Sequence, residues 1–518
     1  MNDLNSQADP TVTPPRFGLT RASLAAVVAV LGITTVLYWP RLWDFFLSDD
    51  FGFLWACWRP GGLFLNNGWI TGDSVPVPTY FRFMPCSSLS GLLIYALSGL
   101  SPFGWHLANL LLHLANSMLV GLIVRRIVRS DWAGVAACAF FAVHYIHVEP
   151  VVWISGRTSL LVTFFMLAAI AVETRPRARR WGTARWIALA IAVLACLSKE
   201  DSIILPFMLL LVPSSPMTVS DTLRFEPRWL REELLALRSR IRALWPYFVL
   251  AGLYAITRMG AIVQATHEQA YRLEFGLNVA KNALFMFVAN LFPVDFRATL
   301  QAWNRWYKDG DLSAALAFVL AHPGIIVGSV IAVLFWVAVL LWGNRAARRL
   351  TLVMIVAALP VLFFRGTGER LLYLASTGAA GVFAVILAGW HISFRENMGR
   401  IGRWIAPAMA VALILLHAVW LRDKQVNWQT ASELSRTVVD AAVQLGGRLP
   451  ANAVVQLSGL PDNTGGAWVF RSSIESAFKI YTGRLDVTVT EDVSDHPDSL
   501  TRPRQHYRWD GTAFVPME

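Results

Sequence analysis

Two adjacent carboxylates, Asp49 and Asp50, follow directly on the first long apolar segment of the chain, Leu24 to Pro40. A carboxylate pair at a membrane mouth is costly to desolvate and repels itself, so it suits taking up a proton or holding a cation. The bland alternative is a solvated loop in which the pair stops the helix from sinking deeper. A second group is His144-Tyr145-Ile146-His147-Val148-Glu149-Pro150, with Trp153-Ile154-Ser155-Gly156-Arg157 behind it. His144 and His147, on one helix face, and Glu149 admit three readings. They could ligate zinc, although a third histidine is missing; they could cap a helix end; or they could wall an active site, because the planar five-donor fork of Arg157 suits phosphate oxygens. Lys199-Glu200 repeats the theme at the next turn, and Gly368-Glu369-Arg370-Leu371-Leu372-Tyr373 at a third. One such pair could simply neutralise itself. Three turns with a cation each, on the side of Asp49 and Asp50, predict a cavity with carboxylates on one wall and phosphate-binding cations on another, fit for an anionic lipid-phosphate ligand.

The chain that must position these residues has 518 residues, 55% of them hydrophobic and 15% charged, with a mean hydropathy of +0.49. That is too much apolar surface for one soluble core, and several segments reach the roughly 18 to 20 residues that span a bilayer. The composition predicts an α-helical polytopic membrane protein. The formal charge is +11, but the arginines gather in short clusters between apolar segments, a pattern that sets membrane topology and gives no reason to expect a nucleic-acid partner. Cys57, Cys86, Cys138 and Cys196 show no metal-ligand spacing; Cys57 and Cys86 share one loop, which admits a disulfide between them.

Residues 1–21 read as a cytoplasmic tail leading into a retained helix, with no small-residue cleavage site. Residues 22–421 are expected to form a transmembrane domain of about 11 to 13 helices. Within it, 41–102 is an outer loop with Trp55, Trp58, Trp69 and Ser74-Val75-Pro76-Val77-Pro78, where Phe51 to Trp58 and Leu89 to Leu100 predict short interfacial helices. Spans are expected near Trp105 to Val124, Trp132 to Tyr145, Leu160 to Val172, Ile187 to Leu197, Ser202 to Val212 and Leu244 to Met259. A basic amphipathic stretch, Arg224 to Arg242, precedes the last of these. Asn278 to Pro293 either crosses or re-enters, and later spans fall near Ile325 to Trp342, Leu350 to Phe364, Leu371 to Trp390 and Trp404 to Trp420. Arg125, Arg126, Arg129, Arg175, Arg177, Arg179 and Arg180 mark inward turns, which puts the N-terminus in the cytoplasm and the C-terminus outside. Residues 422–518 predict a small soluble α/β domain: helical Ala431 to Leu445 and Ser472 to Tyr481, β-rich Ala453 to Leu457 and Val487 to Thr490, and a turn at Gly459 to Asn463. It carries no phosphate loop, CxxC pair or nucleophile elbow.

Several of these stretches resemble one family. They are Asp49-Asp50 after the first helix, Phe103-Gly104-Trp105-His106-Leu107-Ala108-Asn109-Leu110-Leu111-Leu112-His113, Phe141 to Arg157, Leu197-Ser198-Lys199-Glu200, and Glu369-Arg370-Leu371-Leu372-Tyr373-Leu374-Ala375-Ser376. Together they resemble the GT-C superfamily of membrane glycosyltransferases, in particular the transmembrane and tetratricopeptide-repeat O-mannosyltransferases and their bacterial relatives. The resemblance runs in patches between about residues 45 and 376. It implies inverting transfer of a sugar from a polyprenyl-phosphate-linked donor to a protein, glycan or lipid acceptor on the outer face. It also implies a bacterial inner (plasma) membrane, with the C-terminal domain periplasmic or extracellular.

Carried over by position, Asp49 or Asp50 would be the general base, and the other would orient the acceptor or help hold a divalent cation, Mg or Mn. His144, His147, Glu149, Arg157, Lys199, Glu200, Glu369, Arg370 and Tyr373 would line the donor phosphate and sugar. The residues agree with such roles, since an inverting transfer needs a base beside the acceptor and positive charge against the departing phosphate. The chain departs from the pattern at Ser159, where the family has an acidic residue, and at Arg82-Phe83-Met84-Pro85, where it has Tyr-Arg-Pro. No tetratricopeptide repeats follow the membrane part, and the domain from Arg422 lies outside the resemblance. Two rival classes stand beside this reading. A transporter or flippase of lipid-linked sugar would place its charges near mid-membrane on broken helices. A non-catalytic scaffold for the terminal domain would have no need of Asp49, Asp50, Lys199 and Arg370 together.

Overall fold

The computed structural model describes residues 20–58, 84–175, 181–213, 217, 229–265, 272–293, 296–307, 309–366, 368–470, 473–490 and 504–517. Most of the expected N-terminal tail, Trp69, the Ser74 to Pro78 run, Arg82, Phe83, Arg177, Arg179, Arg180 and Arg224 lie outside the described residues.

Local chemistry accounts for the ends of the first helices. Thr20 caps α1 (Arg21–Tyr38) by accepting from the Ser23 N–H at 3.1 Å, and Pro40 sits at the start of the 3-10 helix Trp39–Trp43 that follows. Helix α2 (Asp49–Trp58) opens with both acids in its first turn, where the N-terminal dipole favours negative charge. Helices α3 (Pro85–Ser98) and α4 (Pro102–Val128) each begin on a proline, whose missing N–H is no loss there. Ser130 caps α5 (Asp131–Ala142), and the chain then bends by 51° through a 3-10 turn into α6 (Val148–Val152) and on to α7 (Arg157–Glu173).

The remaining helices of the membrane part are α8 (Thr183–Cys196), α9 (Leu205–Leu211), α10 (Trp229–Ala265), α11 (Leu277–Ala289), α12 (Phe296–Tyr307), α13 (Leu312–Ala321), α14 (Pro323–Trp342), α15 (Arg345–Leu362) and α16 (Ala375–Gly446). Gly399, at φ 57, breaks α16 into arms 375–398 and 400–446, a left-handed conformation that glycine adopts without strain. Both arms return to α5, since the Phe140 ring lies 4.6 Å from Phe383 and 4.7 Å from His417.

Four helices among the described residues are long and apolar enough to cross a bilayer: Arg21–Trp43, Pro102–Val128, Ile154–Glu173 and Ala375–Gly446; a fifth is Asp131–Val143 with Tyr145–Val152 if the bent pair is one span. The expected spans Leu371 to Trp390 and Trp404 to Trp420 fall on the two arms of α16, and Ile325 to Trp342 falls on α14, which is apolar and 20 residues long; several of the others fall on shorter or more polar helices. Helix α11 has 13 residues, about 20 Å at 1.5 Å per residue, which is short of a bilayer core of about 30 Å. Helix α9 has only 7 residues. Even so, the Lys199 ammonium bonds to Ser159 near the start of α7, whereas the Met217 N–H bonds to the Ile127 carbonyl near the end of α4. The chain between them therefore runs the length of the bundle with less helix than expected. The amphipathic stretch and the span expected as separate elements at 224–242 and 244–259 form one helix, α10, with Pro246 inside it.

The bundle has two chemically distinct ends. At one, Arg125 pairs with Asp131 at 2.5 Å and Arg185 with Glu173 at 2.6 Å. At the other lie Asp49, Asp50, Arg157 and Lys199.

The terminal domain is not set off at residue 422, because arm 400–446 runs through that position without a break. Its sheet has strand order β4-β1-β5-β6, with β1 (Val454–Ser458) parallel to both β4 (Thr488–Thr490) and β5 (Arg504–Trp509), and β6 (Phe514–Met517) antiparallel to β5. A two-stranded ribbon of β2 (Asn463–Thr464) and β3 (Ala467–Trp468) and helix α17 (Ile474–Thr482) complete it. Strand β1, strand β4 and helix α17 fall where the residue pattern places them. Strands β5 and β6 are additions. All of this makes an α-helical integral membrane protein with a small α/β unit at its C-terminal side.

Candidate active site at one end of the bundle

Asp50 is 1% exposed. Its Oδ1 accepts from the Ser155 N–H at 2.8 Å and the Ser155 hydroxyl at 2.7 Å, and its Oδ2 accepts from the Leu47 N–H at 3.1 Å. Burial pushes its pKa up to about 7, with the hydrogen bonds from Ser155 and Leu47 pulling the other way. Asp49, its neighbour, is half-buried. The two acids are therefore inequivalent, a difference that adjacency in the sequence conceals. One is tied to the turn after α6; the other lies half-buried in the first turn of α2.

The turn that holds Asp50 also supplies the first cation. A Cβ on Gly156 would lie 2.6 Å from the Pro150 carbonyl oxygen, so only glycine lets Ser155 and Arg157 fold back this tightly. Arg157 is 2% exposed, donates from Nη2 to the Trp105 carbonyl at 2.9 Å, and lies 5.6 Å from the Trp105 ring centroid. Its buried Nε has no hydrogen-bond partner among the described residues. Two residues on, Ser159 accepts from Lys199 Nζ at 3.2 Å, and the same ammonium pairs with Asp201 at 2.8 Å. At Ser159, where the family pattern has an acid, this chain has a hydroxyl, and Asp201 supplies the carboxylate from across the gap. Glu200, expected beside Lys199, is exposed and does not join the group.

A second cluster is built on the bend between α5 and α6. Glu149 accepts from the Arg370 N–H at 2.8 Å and from Arg370 Nη1 at 2.6 Å, and the Arg370 guanidinium lies 4.9 Å from the Trp153 ring. Trp153 in turn directs its indole N–H to the Leu47 carbonyl at 3.4 Å, which links this cluster to the acidic turn. Glu369 forms an ion pair with Lys424, whose ammonium also lies 5.2 Å from the Tyr145 ring.

Behind these pairs the histidines are fully buried. His147 Nε2 meets the Ser376 hydroxyl at 2.8 Å, and His144 packs 4.6 Å from His417. Tyr373 shares a 2.8 Å hydrogen bond with His113 and accepts from Asn116 Nδ2 at 3.2 Å. His144, His147 and Tyr373 thus lie fully buried behind two clusters, one with Asp50, Arg157 and Lys199 and the other with Glu149 and Arg370. Ser155, Trp105, Asp201 and Lys424 join the site unforeseen. Ser155 and Trp105 stand inside stretches that the motif reading quotes, but their roles depend on contacts between distant segments.

The zinc reading of His144, His147 and Glu149 finds no converging ligand set among the described residues. No group of three or more His, Cys, Asp and Glu side chains converges among the described residues. Both oxygens of Asp50 accept hydrogen bonds from the protein. Cys57 and Cys86 are both free thiols, so the disulfide admitted by their loop is not formed. Burial pushes the Cys57 thiol up to about 12.

No family model matches the chain. It is 32% identical over 192 residues to protein O-mannosyl-transferase Tmtc1 of Drosophila melanogaster, covering 36% of this chain and 22% of that protein. It is 30% identical over 195 residues to protein O-mannosyl-transferase TMTC3 of Homo sapiens, covering 36% and 21%. The chain thus spans about a fifth of the length of these curated relatives. Among solved structures, the oligosaccharyltransferase AglB of Archaeoglobus fulgidus gives a TM-score of 0.47 at 11% identity, covering 90% of this chain and 64% of its own. ArnT of Cupriavidus metallidurans gives 0.45 at 14% identity, covering 94% of each. The resemblance carried by the motifs is borne out: part of this chain is similar in sequence to the protein O-mannosyl-transferases, as a membrane glycosyltransferase of the GT-C kind would be.

Proposed function

We propose that the protein is an inverting glycosyltransferase that moves a sugar from a polyprenyl-phosphate-linked donor to an acceptor hydroxyl at the outer face of the membrane. The observation that carries this reading is the tie between the acidic turn and the cationic turn: Ser155 holds Asp50, and Arg157 follows two residues later with a buried, unbonded Nε. The tie joins the start of α2, where Asp49 stands next to Asp50, to the turn that carries Arg157. Asp49 takes the proton of the acceptor hydroxyl as its oxygen bonds to the anomeric carbon, and the bond from that carbon to the phosphate oxygen breaks with its electron pair leaving on the phosphate. A single displacement of this kind inverts the configuration. Arg157, supported by Lys199 and Arg370, stabilises the charge that gathers on the departing phosphate. Asp50 positions the turn without contacting the acceptor.

The named activity of the relatives makes mannose the first sugar to test and a protein hydroxyl the first acceptor. The Arg-rich end of the bundle faces the cytoplasm in this proposal, as basic inward loops require, and the site and terminal domain face outward. The host membrane is taken to be a bacterial inner membrane. Glycan and lipid profiling of a deletion strain beside an Asp49→Asn strain tests the reading. Both strains should lose the same glycan and accumulate the same polyprenyl-linked sugar. A deletion strain with an unchanged glycan and lipid profile would defeat it.

A further inference from the structure

The terminal domain lies outside the stretches that resemble the family, yet it packs directly on the turn that carries the acidic pair. Ser48, immediately before Asp49, sits at φ 44, a left-handed conformation that a residue with a side chain keeps only where its surroundings impose it. The Ser48 N–H donates to the Val469 carbonyl at 2.8 Å, just past strand β3. The Phe51 ring stacks on Phe470 with centroids 5.5 Å apart and planes 5° from parallel. Tyr481 of α17 closes the same cluster, 6.4 Å from Phe51 and 5.6 Å from Phe45. The lead-in to the turn is tied to arm 400–446: the Phe45 N–H donates to the Ser432 hydroxyl at 2.5 Å, and the Ser435 hydroxyl donates to the Phe46 carbonyl at 2.7 Å. A helix as short as α2, with 10 residues, has little stability of its own in water, so its position is set by what it leans on.

We propose that the terminal domain is a positioning part of the reaction site: Val469, Phe470 and Tyr481 lock the left-handed turn at Ser48 and so set Asp49 against Arg157. This rests on the reading of Asp49 as the base. On it, displacement of the domain moves the base relative to the phosphate-binding cation while leaving the donor contacts of Arg157, Lys199 and Arg370 in place. The domain then acts on kcat and leaves donor binding alone.

The test uses the full chain in lipid nanodiscs, with Phe470→Ala, Phe470→Tyr as the conservative variant, and Phe514→Ala as a control that damages the domain away from α2. Hydrogen exchange of the peptide covering 44–55 is read beside transfer kinetics. Phe470→Ala should speed exchange there about tenfold with α4 and α7 unchanged. It should also lower kcat about tenfold at an unchanged donor KM. Phe470→Tyr should restore both. Wild-type exchange at 44–55 in Phe470→Ala, or equal loosening by Phe514→Ala, overturns the proposal. Should Phe470→Ala fail to accumulate, Phe470→Leu, which fills the space without a stacked ring, decides by the same criteria. Exchange that follows the proposal in a protein with no transfer activity would remove the role of Asp49 and leave the clamp standing.

Discussion

Asp49→Asn changes one atom of a half-buried side chain and leaves untouched the three hydrogen bonds that Asp50 receives from Ser155 and Leu47. The expected stability change is within about 0.5 kcal/mol, the range for a near-isosteric surface change. The expected kinetic change is a loss of about 10²- to 10⁴-fold in kcat, the usual contribution of a general base. Ser155→Ala provides the contrast. It deletes the hydroxyl donor to Asp50 Oδ1 at 2.7 Å but keeps the Ser155 N–H donor at 2.8 Å. Losing one buried hydrogen bond to a carboxyl group that is largely protonated costs about 0.5 to 1.5 kcal/mol, so this variant should melt earlier while retaining part of its activity. The assay is paired: thermal unfolding in detergent and transfer from a polyprenyl-phosphate sugar, both on purified protein. Asp49→Asn with transfer within a few-fold of wild type would refute the base assignment. Ser155→Ala that abolishes transfer without any change in melting would reverse the roles given to the two acids.

Further outcomes follow from the same contacts. Arg157→Lys keeps the charge but loses the fork, so donor use should weaken by about 1 to 3 kcal/mol, read as kcat/KM; unchanged kinetics would make Arg157 structural. Glu149→Gln breaks a largely buried pair with Arg370, for which a loss of about 3 kcal/mol of stability is expected, and a double-mutant cycle with Arg370→Gln should recover part of it. The folded-state pKa of Asp50, raised to about 7 from 3.8, means that the folded protein keeps a proton which the unfolded chain gives up. Its contribution is therefore fully present below about pH 4 and fades as pH rises toward 7, and Asp50→Asn should flatten that slope in melts taken between pH 4 and 8. Gel mobility of the denatured protein should be the same with and without reductant, since Cys57 and Cys86 are both free thiols.

Much of the site was legible because membrane physics makes charged residues conspicuous. Asp49, Asp50, Glu149, Arg157, Lys199 and Arg370 stand out against long apolar runs, and the structure gathers them at one end of the bundle. The division of labour was not legible. Asp50 is distinguished from Asp49 by a hydroxyl more than a hundred positions away, and Lys199 takes Asp201 rather than Glu200 because the 3-10 helix Glu200–Ile204 leaves Glu200 exposed. Element ends are hidden where the chain has no sequence break. Arm 400–446 changes from lipid-facing to domain-supporting without a helix stop, and α10 runs through Pro246 because arginine-rich and apolar turns are equally helical. Strands β5 and β6 are not legible because Arg504-Gln505-His506-Tyr507-Arg508-Trp509, although paired on both sides, is only partly buried and has almost no apolar alternation.

The most direct test of the central claim is stereochemical. The purified protein, supplied with a polyprenyl-phosphate-linked mannose and an acceptor, should release free polyprenyl phosphate in step with glycoside formation. Nuclear magnetic resonance of the product should show an anomeric configuration opposite to that of the donor, with Asp49→Asn releasing neither product. Retention of configuration, or equal turnover by Asp49→Asn, would contradict a single displacement driven by that carboxylate.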